Sequence, residues 1–166
     1  GEKKSPLQYT YDGLQLHIKL DRIYKNDEKY TLFFNYISKP NDLKAEGSAA
    51  ITDAKGLYFI NPKGDIKDKP TQIWTQGETE SNSAWMITID KPNQKCTQEF
   101  QLTVPSKFVS LSNGLLVKQI ENNNGTRVDI WKMDQPHSPY LFFIGVGDYA
   151  IVKDYYKVKD EGAKIG

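Results

Sequence analysis

The sequence predicts an all-β protein whose antiparallel strands form a strongly curved sheet or a sandwich. Strand-like segments recur about every 8–12 residues with turn formers between them, the signature of an antiparallel sandwich or curved sheet. The chain carries 10 Tyr, 7 Phe and 3 Trp, side chains that favour the pleated, half-buried surface of a sheet. No stretch repeats apolar residues at the 3.6-residue period of an amphipathic helix. With 166 residues, residues 1–166 read as a single β domain, long enough to bury a core.

The elements follow in order. L-Q-L-H-I-K-L (14–20) alternates strictly, with Leu14, Leu16, Ile18 and Leu20 on one face and Gln15, His17 and Lys19 on the other, which is a half-buried strand. Y-T-L-F-F-N-Y-I (30–37) is β-branched and aromatic and ends at K-P-N-D, where Pro40 removes a ladder donor, so a second strand is expected there. Residues 53–72 read as a long loop around one short strand, L-Y-F-I. Further strands are expected at 85–90, at 98–104 with Phe100, Leu102 and Val104 on one side, and at 108–111. E-N-N-N-G joins 115–120 to 126–133 as a hairpin, because Asn and Gly accept the positive φ of such a turn. Y-L-F-F-I-G-V-G (140–147) is apolar throughout, as in a strand buried on both faces, and the tail D-Y-A-I-V-K-D-Y-Y-K-V-K alternates as a last strand.

Composition excludes several classes of function. The 22 basic and 21 acidic residues leave a formal charge of +1, so no net field recruits nucleic acid or an anionic membrane. No apolar run is long enough to span a bilayer. Cys96 is the one cysteine; it has no partner for an internal disulfide and reads as a small packed thiol. The chain begins with Gly and shows no signal segment, so it reads as an excised or processed piece.

Recognisable catalytic patterns are missing. A helical zinc site needs two His four apart with a Glu beside the first, whereas His17 and His137 stand far apart and are followed by Ile18 and Ser138. Both read as surface histidines. Gly145-Val-Gly147 lacks the third glycine and the helix of a dinucleotide site, and Asn124-Gly125-Thr126, though a glycosylation sequon, is accounted for by a β-turn. No metal or cofactor is expected on this chain.

The stretch W-T-Q-G-E-T-E (74–80) places Gln76, Gly77, Glu78 and Glu80 before the apolar W-M-I-T-I-D. Read from the residues alone, it is either a solvated loop or the polar rim of a site that grips a cation. Together, W-T-Q-G-E-T-E-S-N-S-A-W, I-D-K-P-N-Q-K, the strand ending T-V-P, L-S-N-G-L-L and W-K-M-D-Q-P-H-S-P-Y-L-F-F-I-G-V-G-D-Y, in order from about Gly56 to Val152, resemble the N-terminal domain of gluzincin zinc aminopeptidases, the family of aminopeptidase N and leukotriene hydrolase. The resemblance implies a saddle-like β domain that precedes a thermolysin-like catalytic domain carrying G-x-M-E-N and H-E-x-x-H. Neither motif is present here. The chain would then be the non-catalytic domain of an enzyme whose zinc lies in its missing catalytic domain, and it would itself lack the first strands of the β domain. Members of the family occur both inside cells and in extracytoplasmic compartments.

In that family a Q-x-E or Q-x-Q sequence projects into the active-site cleft. Carried onto this chain, Gln76 would border the pocket for the substrate's N-terminal side chain and Glu78 would hold its free α-amine. A carboxylate is the natural partner of an ammonium, and fixing the amine at a set distance from the zinc restricts cleavage to the first peptide bond. Gly77 has no side chain, so its backbone could pass close to a peptide substrate or to the catalytic domain. Trp74 and Trp85 are expected to pack and fix the loop, Asp90 and Pro92 to shape a turn, and Glu80 to be solvated. The sequence departs from the family at Met86-Ile87-Thr88, where aromatic and proline residues are common. The competing reading is a free-standing carbohydrate-binding or adhesion sandwich, which a flat exposed row of Trp and Tyr would favour.

Overall fold

The computed structural model describes residues 5–43, 54–152 and 154. They divide into two compact units, Gly1–Tyr36 and Ile37–Gly166, described separately. In the first, β1 (Gln8–Tyr11) pairs antiparallel with β2 (Leu16–Lys19), Tyr9 opposite Ile18. Gly13 makes the turn at φ +98°, and the Asp12 carboxylate accepts the Gln15 and Leu14 amides at 2.7 and 2.8 Å. Those two amides, Gln15 foremost, hold the Asp12 carboxyl below its usual range. In β2, Leu16 and Ile18 are half-buried and His17 and Lys19 exposed, as the alternation requires. Leu14 lies in the turn instead and is exposed.

Residues 30–37 form no strand. Their composition suits a sheet, but a strand also needs a partner for its ladder, and none of the described strands pairs with them. Tyr30, Phe33, Tyr36 and Ile37 are consequently exposed.

In the second unit, β3 (Leu57–Ile60), β4 (Gln72–Thr75), β6 (Val109–Ser112) and β9 (Ile144–Gly147) form an antiparallel sheet in the order β3-β4-β9-β6. A second antiparallel sheet contains β5 (Cys96–Pro105), β8 (Thr126–His137) and β7 (Leu115–Glu121), in the order β5-β8-β7. In β5, Val104 is buried and Phe100 and Leu102 half-buried on the expected side. The β7–β8 turn has Gly125 at φ +78°, and the Asn124 side-chain oxygen accepts the Thr126 hydroxyl at 2.7 Å. Gly114 is also required: at φ +83°, a Cβ would lie 2.0 Å from the Lys132 carbonyl oxygen.

The apolar core comprises Trp85, Val104, Trp131, Phe142 and Val146. Between the sheets, however, much of the contact is polar. The Ser110 hydroxyl on β6 donates to Asp129 on β8 at 2.5 Å and accepts the Trp131 indole N–H at 3.0 Å. Asp129 is fully buried and pairs with Arg127 through Nε at 2.8 Å and Nη2 at 2.9 Å. Gln119 donates to the same carboxylate, and Arg127 donates to the carbonyls of Ser106 and Phe108. A buried ion pair persists only when its remaining donors and acceptors are satisfied in this way.

Other segments depart from the sequence pattern. Residues 85–90 are not a strand: a 3-10 turn at Asn82–Ala84 continues, with the Trp85 and Met86 amides donating to the Asn82 carbonyl. Of 140–147, the first residues belong to a 3-10 turn (Pro139–Leu141) and only Ile144–Gly147 is extended. Residues 148–152 form no strand, and the rest of the expected tail strand lies outside the described residues apart from Asp154. Cys96 is exposed at the start of β5, opposite His137 of β8, and is not packed.

Candidate functional site

The loop after β4 is fixed at both ends. Thr75 is buried; its hydroxyl donates to the Phe142 carbonyl at 3.4 Å and accepts the Ile144 amide at 2.9 Å. The Gln76 amide donates to the Gly56 carbonyl at 2.8 Å, and the Ser81 amide closes the turn onto the Gly77 carbonyl at 2.8 Å. Gly77 is buried between these points. A Cβ there would stand 2.3 Å from Asn82 Nδ2 and 2.4 Å from the Tyr140 carbonyl oxygen, so the close neighbours that require glycine belong to this chain's own fold. The Glu78–Thr79 peptide is cis.

From this anchored backbone the three singled-out residues diverge. Glu78 is exposed and, with Thr79, Pro92 and Tyr140, lines a shallow pocket of about 190 Å³. Its carboxylate has no hydrogen-bond or ion-pair partner among the described residues. Gln76 is half-buried, and its side-chain amide likewise has no such partner among them. Neither Gln76 nor Gly77 lines the pocket. The second carboxylate of the stretch differs: Glu80 pairs with Lys91 at 2.6 Å, both partners being solvent-exposed.

The aromatic residues support the loop. Trp85 is buried, donates its indole N–H to Asn82 Oδ1 at 2.8 Å, and packs on Phe100, which meets Phe142 edge to face. Trp74 stacks on its cross-strand partner Tyr58 at 4.9 Å, and Trp131 is buried. No tryptophan contributes to a flat exposed row. Asp90 is buried and accepts the Ser83 amide at 2.8 Å, and Ser138 holds the Pro92 carbonyl, so the far wall of the pocket is tethered as well.

Among the described residues, no group of three or more His, Cys, Asp or Glu could hold a metal. His17 is exposed on β2, and His137, half-buried, lies 3.1 Å from both the Gln135 carbonyl and Gln98 Oε1. Neither histidine has further ligands around it with which to hold a zinc ion among the described residues. Sequence reasoning missed Asn82 and Thr75. Asn82, between Ser81 and Ser83, reads as a turn former and Thr75 as an ordinary polar strand residue, and only the fold shows that these two are buried.

The family model of the Peptidase M1 N-terminal domain matches residues 2–141, a span that includes the whole loop and both sides of its pocket. The chain belongs to the Peptidase M1 N-terminal domain family. Among solved structures, this M1 N-terminal domain resembles a mutant M1 zinc metallopeptidase from Deinococcus radiodurans bound to a Tyr-Ser-Ala substrate (TM-score 0.58, 15% identity, 85% of this chain and 29% of that one). It also resembles a two-domain M1 zinc metallopeptidase mutant bound to L-arginine (TM-score 0.61, 14% identity, 85% and 29%). At these identities the likeness concerns the fold. In sequence, it is 25% identical over 100 residues to aminopeptidase B of Rattus norvegicus, covering 60% of this chain and 15% of that protein. It is 23% identical over 104 residues to transcription initiation factor TFIID subunit 2 of Gallus gallus, covering 61% and 9%. The M1 N-terminal domain thus spans a small part of the curated relatives it matches.

Proposed function

We propose that this chain is the non-catalytic domain of a zinc aminopeptidase and that it lends Gln76 and Glu78 to a substrate site completed by a separate catalytic domain. In this reading, residues 1–166 belong to one β domain of a multidomain enzyme, the catalytic domain carries the zinc and is the chain's partner, and peptide N-termini are the substrate. Glu78 receives the free α-amine, and Gln76 borders the pocket of the first side chain. The observation that carries the reading is the contrast within the loop: its backbone is fixed by buried groups, while the Glu78 carboxylate is exposed at a pocket and unpaired among the described residues. A held backbone with an uncommitted carboxylate suits recognition of an ammonium.

The test is Glu78→Ala in the full-length enzyme. A charge-assisted hydrogen bond is worth about 1.5–3 kcal/mol, so kcat/KM for free-amine substrates should fall roughly tenfold to a hundredfold. An N-acetylated substrate, already poor, should lose little more. Unchanged turnover of the free-amine substrate would make Glu78 a surface turn carboxylate.

The match to TFIID subunit 2, named as a transcription initiation factor subunit and not as a peptidase, favours a second reading, a scaffold without activity. That reading requires a downstream sequence without H-E-x-x-H.

A further inference from the structure

Asn82 is fully buried, and its amide joins three parts of the chain. Nδ2 donates to the Pro139 carbonyl at 2.7 Å and to the Phe142 carbonyl at 3.0 Å, while Oδ1 accepts the Trp85 indole N–H at 2.8 Å. Both amide hydrogens are therefore used, and the oxygen is engaged. The same Nδ2 lies where a Cβ on Gly77 would stand at 2.3 Å. The residue before Glu78 thus rests directly on the Asn82 amide on one side and on the Tyr140 carbonyl on the other, with no slack for a side chain. The turn containing Asn82 is itself held from outside by Asp90, which accepts the Ser83 amide.

We propose that Asn82 is the positioning residue of the amine-recognition loop: by fastening the 81–85 turn to the 139–142 turn beneath Gly77, it sets where the Glu78 carboxylate stands. The proposal rests on the reading of Glu78 as the amine's partner. Asn is required over its isostere because an aspartate would aim only acceptors at two carbonyl oxygens, replacing two hydrogen bonds by repulsion at nearly unchanged volume. The loop would then move without a cavity being opened. Displacement of a positioning group by about 1 Å can cost on the order of a hundredfold in rate, so the effect reaches the reaction although Asn82 touches no substrate.

The experiment compares kcat/KM for an aminoacyl amide and its N-acetylated twin in the full-length enzyme, the ratio of the two measuring amine recognition. Asn82→Asp should lower that ratio about tenfold to a hundredfold with zinc content unchanged. In a Glu78→Ala background it should lower the ratio no further. Trp85→Phe, which removes the donor that orients the Asn82 oxygen together with part of the buried ring but keeps an aromatic against Phe100, should lower the ratio in the same direction by a smaller factor, and it decides the matter if Asn82→Asp does not fold. Equal losses on both substrates, or an unchanged ratio, would reduce Asn82 to a general packing role and overturn the proposal. If Glu78→Ala itself leaves the ratio intact, the reading of Glu78 fails. If Glu78→Ala abolishes the ratio while both Asn82→Asp and Trp85→Phe preserve it, the positioning role alone is refuted.

Discussion

Replacing Asp129 by alanine should be the most destabilising single change between the two sheets. The carboxylate is fully buried and accepts hydrogen bonds from Arg127 Nε and Nη2, the Ser110 hydroxyl and Gln119 Nε2. Removing it leaves the guanidinium of Arg127, a residue only 8% exposed, as a charge retaining only its bonds to the Ser106 and Phe108 carbonyls. Breaking a buried pair from one side costs about 3–5 kcal/mol, a large part of the roughly 5–15 kcal/mol that holds a domain folded. The exposed Glu80–Lys91 pair gives the contrast, because removing either partner should cost about 0–1 kcal/mol. Denaturant titration measures both, with the midpoint falling and the slope unchanged if only stability is altered. The pH dependence has the same origin. Burial raises the Asp129 pKa, but the hydrogen bonds from Arg127, Ser110 and Gln119 outweigh it and hold the carboxyl below the usual carboxylate range. A carboxyl depressed in the folded state contributes stability that is fully present above its unfolded value and is lost as pH falls through the folded one. Acid should therefore weaken the protein below about pH 4, and Asp129→Asn should flatten that part of the profile. A loss under about 1 kcal/mol for Asp129→Ala would mean that water already reaches the pair, and the argument from burial would fail.

In the full-length enzyme, Gln76→Ala should change the preference among N-terminal side chains while leaving discrimination against acetylated amines intact; a panel of aminoacyl amides checks this, and an unchanged ranking refutes the role. The chain alone should bind no stoichiometric zinc and hydrolyse no aminoacyl amide, because its two histidines and one cysteine form no site among the described residues. Metal analysis of the purified chain, with a chelator-sensitivity assay, would reveal the opposite.

Much of the second unit could be read from sequence because its signals are local. The alternation of Phe100, Leu102 and Val104 and the E-N-N-N-G turn specify their elements without reference to the rest of the fold. Residues 30–37 and 85–90 carry the same strand-favouring composition, yet the first finds no ladder partner among the described strands and the second is drawn into the turn begun by Asn82. Neither outcome is encoded within the segment itself. In T-R-V-D-I-W the apolar residues Val128 and Ile130 would be expected inside, but the buried face is that of Arg127, Asp129 and Trp131. Their partners, Ser110 and Gln119, come from other strands, so periodicity could not identify the polar core. For the loop, the resemblance pointed to Gln76, Gly77 and Glu78. The reason for Gly77 emerged only from the fold, in the closeness of Asn82 and Tyr140.

The two carboxylates of the loop argue for different roles because their surroundings differ. Glu80 and Lys91 already form an exposed pair, so to grip an ammonium Glu80 would first have to give up a partner of the same charge as the ligand, and the exchange would gain little. Glu78 is exposed and has no such partner among the described residues, so a substrate amine would have no bound cation to displace. Its backbone is also restrained through Thr75, Gly77 and Ser81, which reduces the ordering that binding must impose. A mobile loop with the same sequence would lose part of the interaction energy to ordering. On the proposed reading of Glu78, fixing the main chain while leaving the carboxylate uncommitted would preserve that energy for the ligand, and the buried polar contacts at Thr75 and Asn82 supply that fixing.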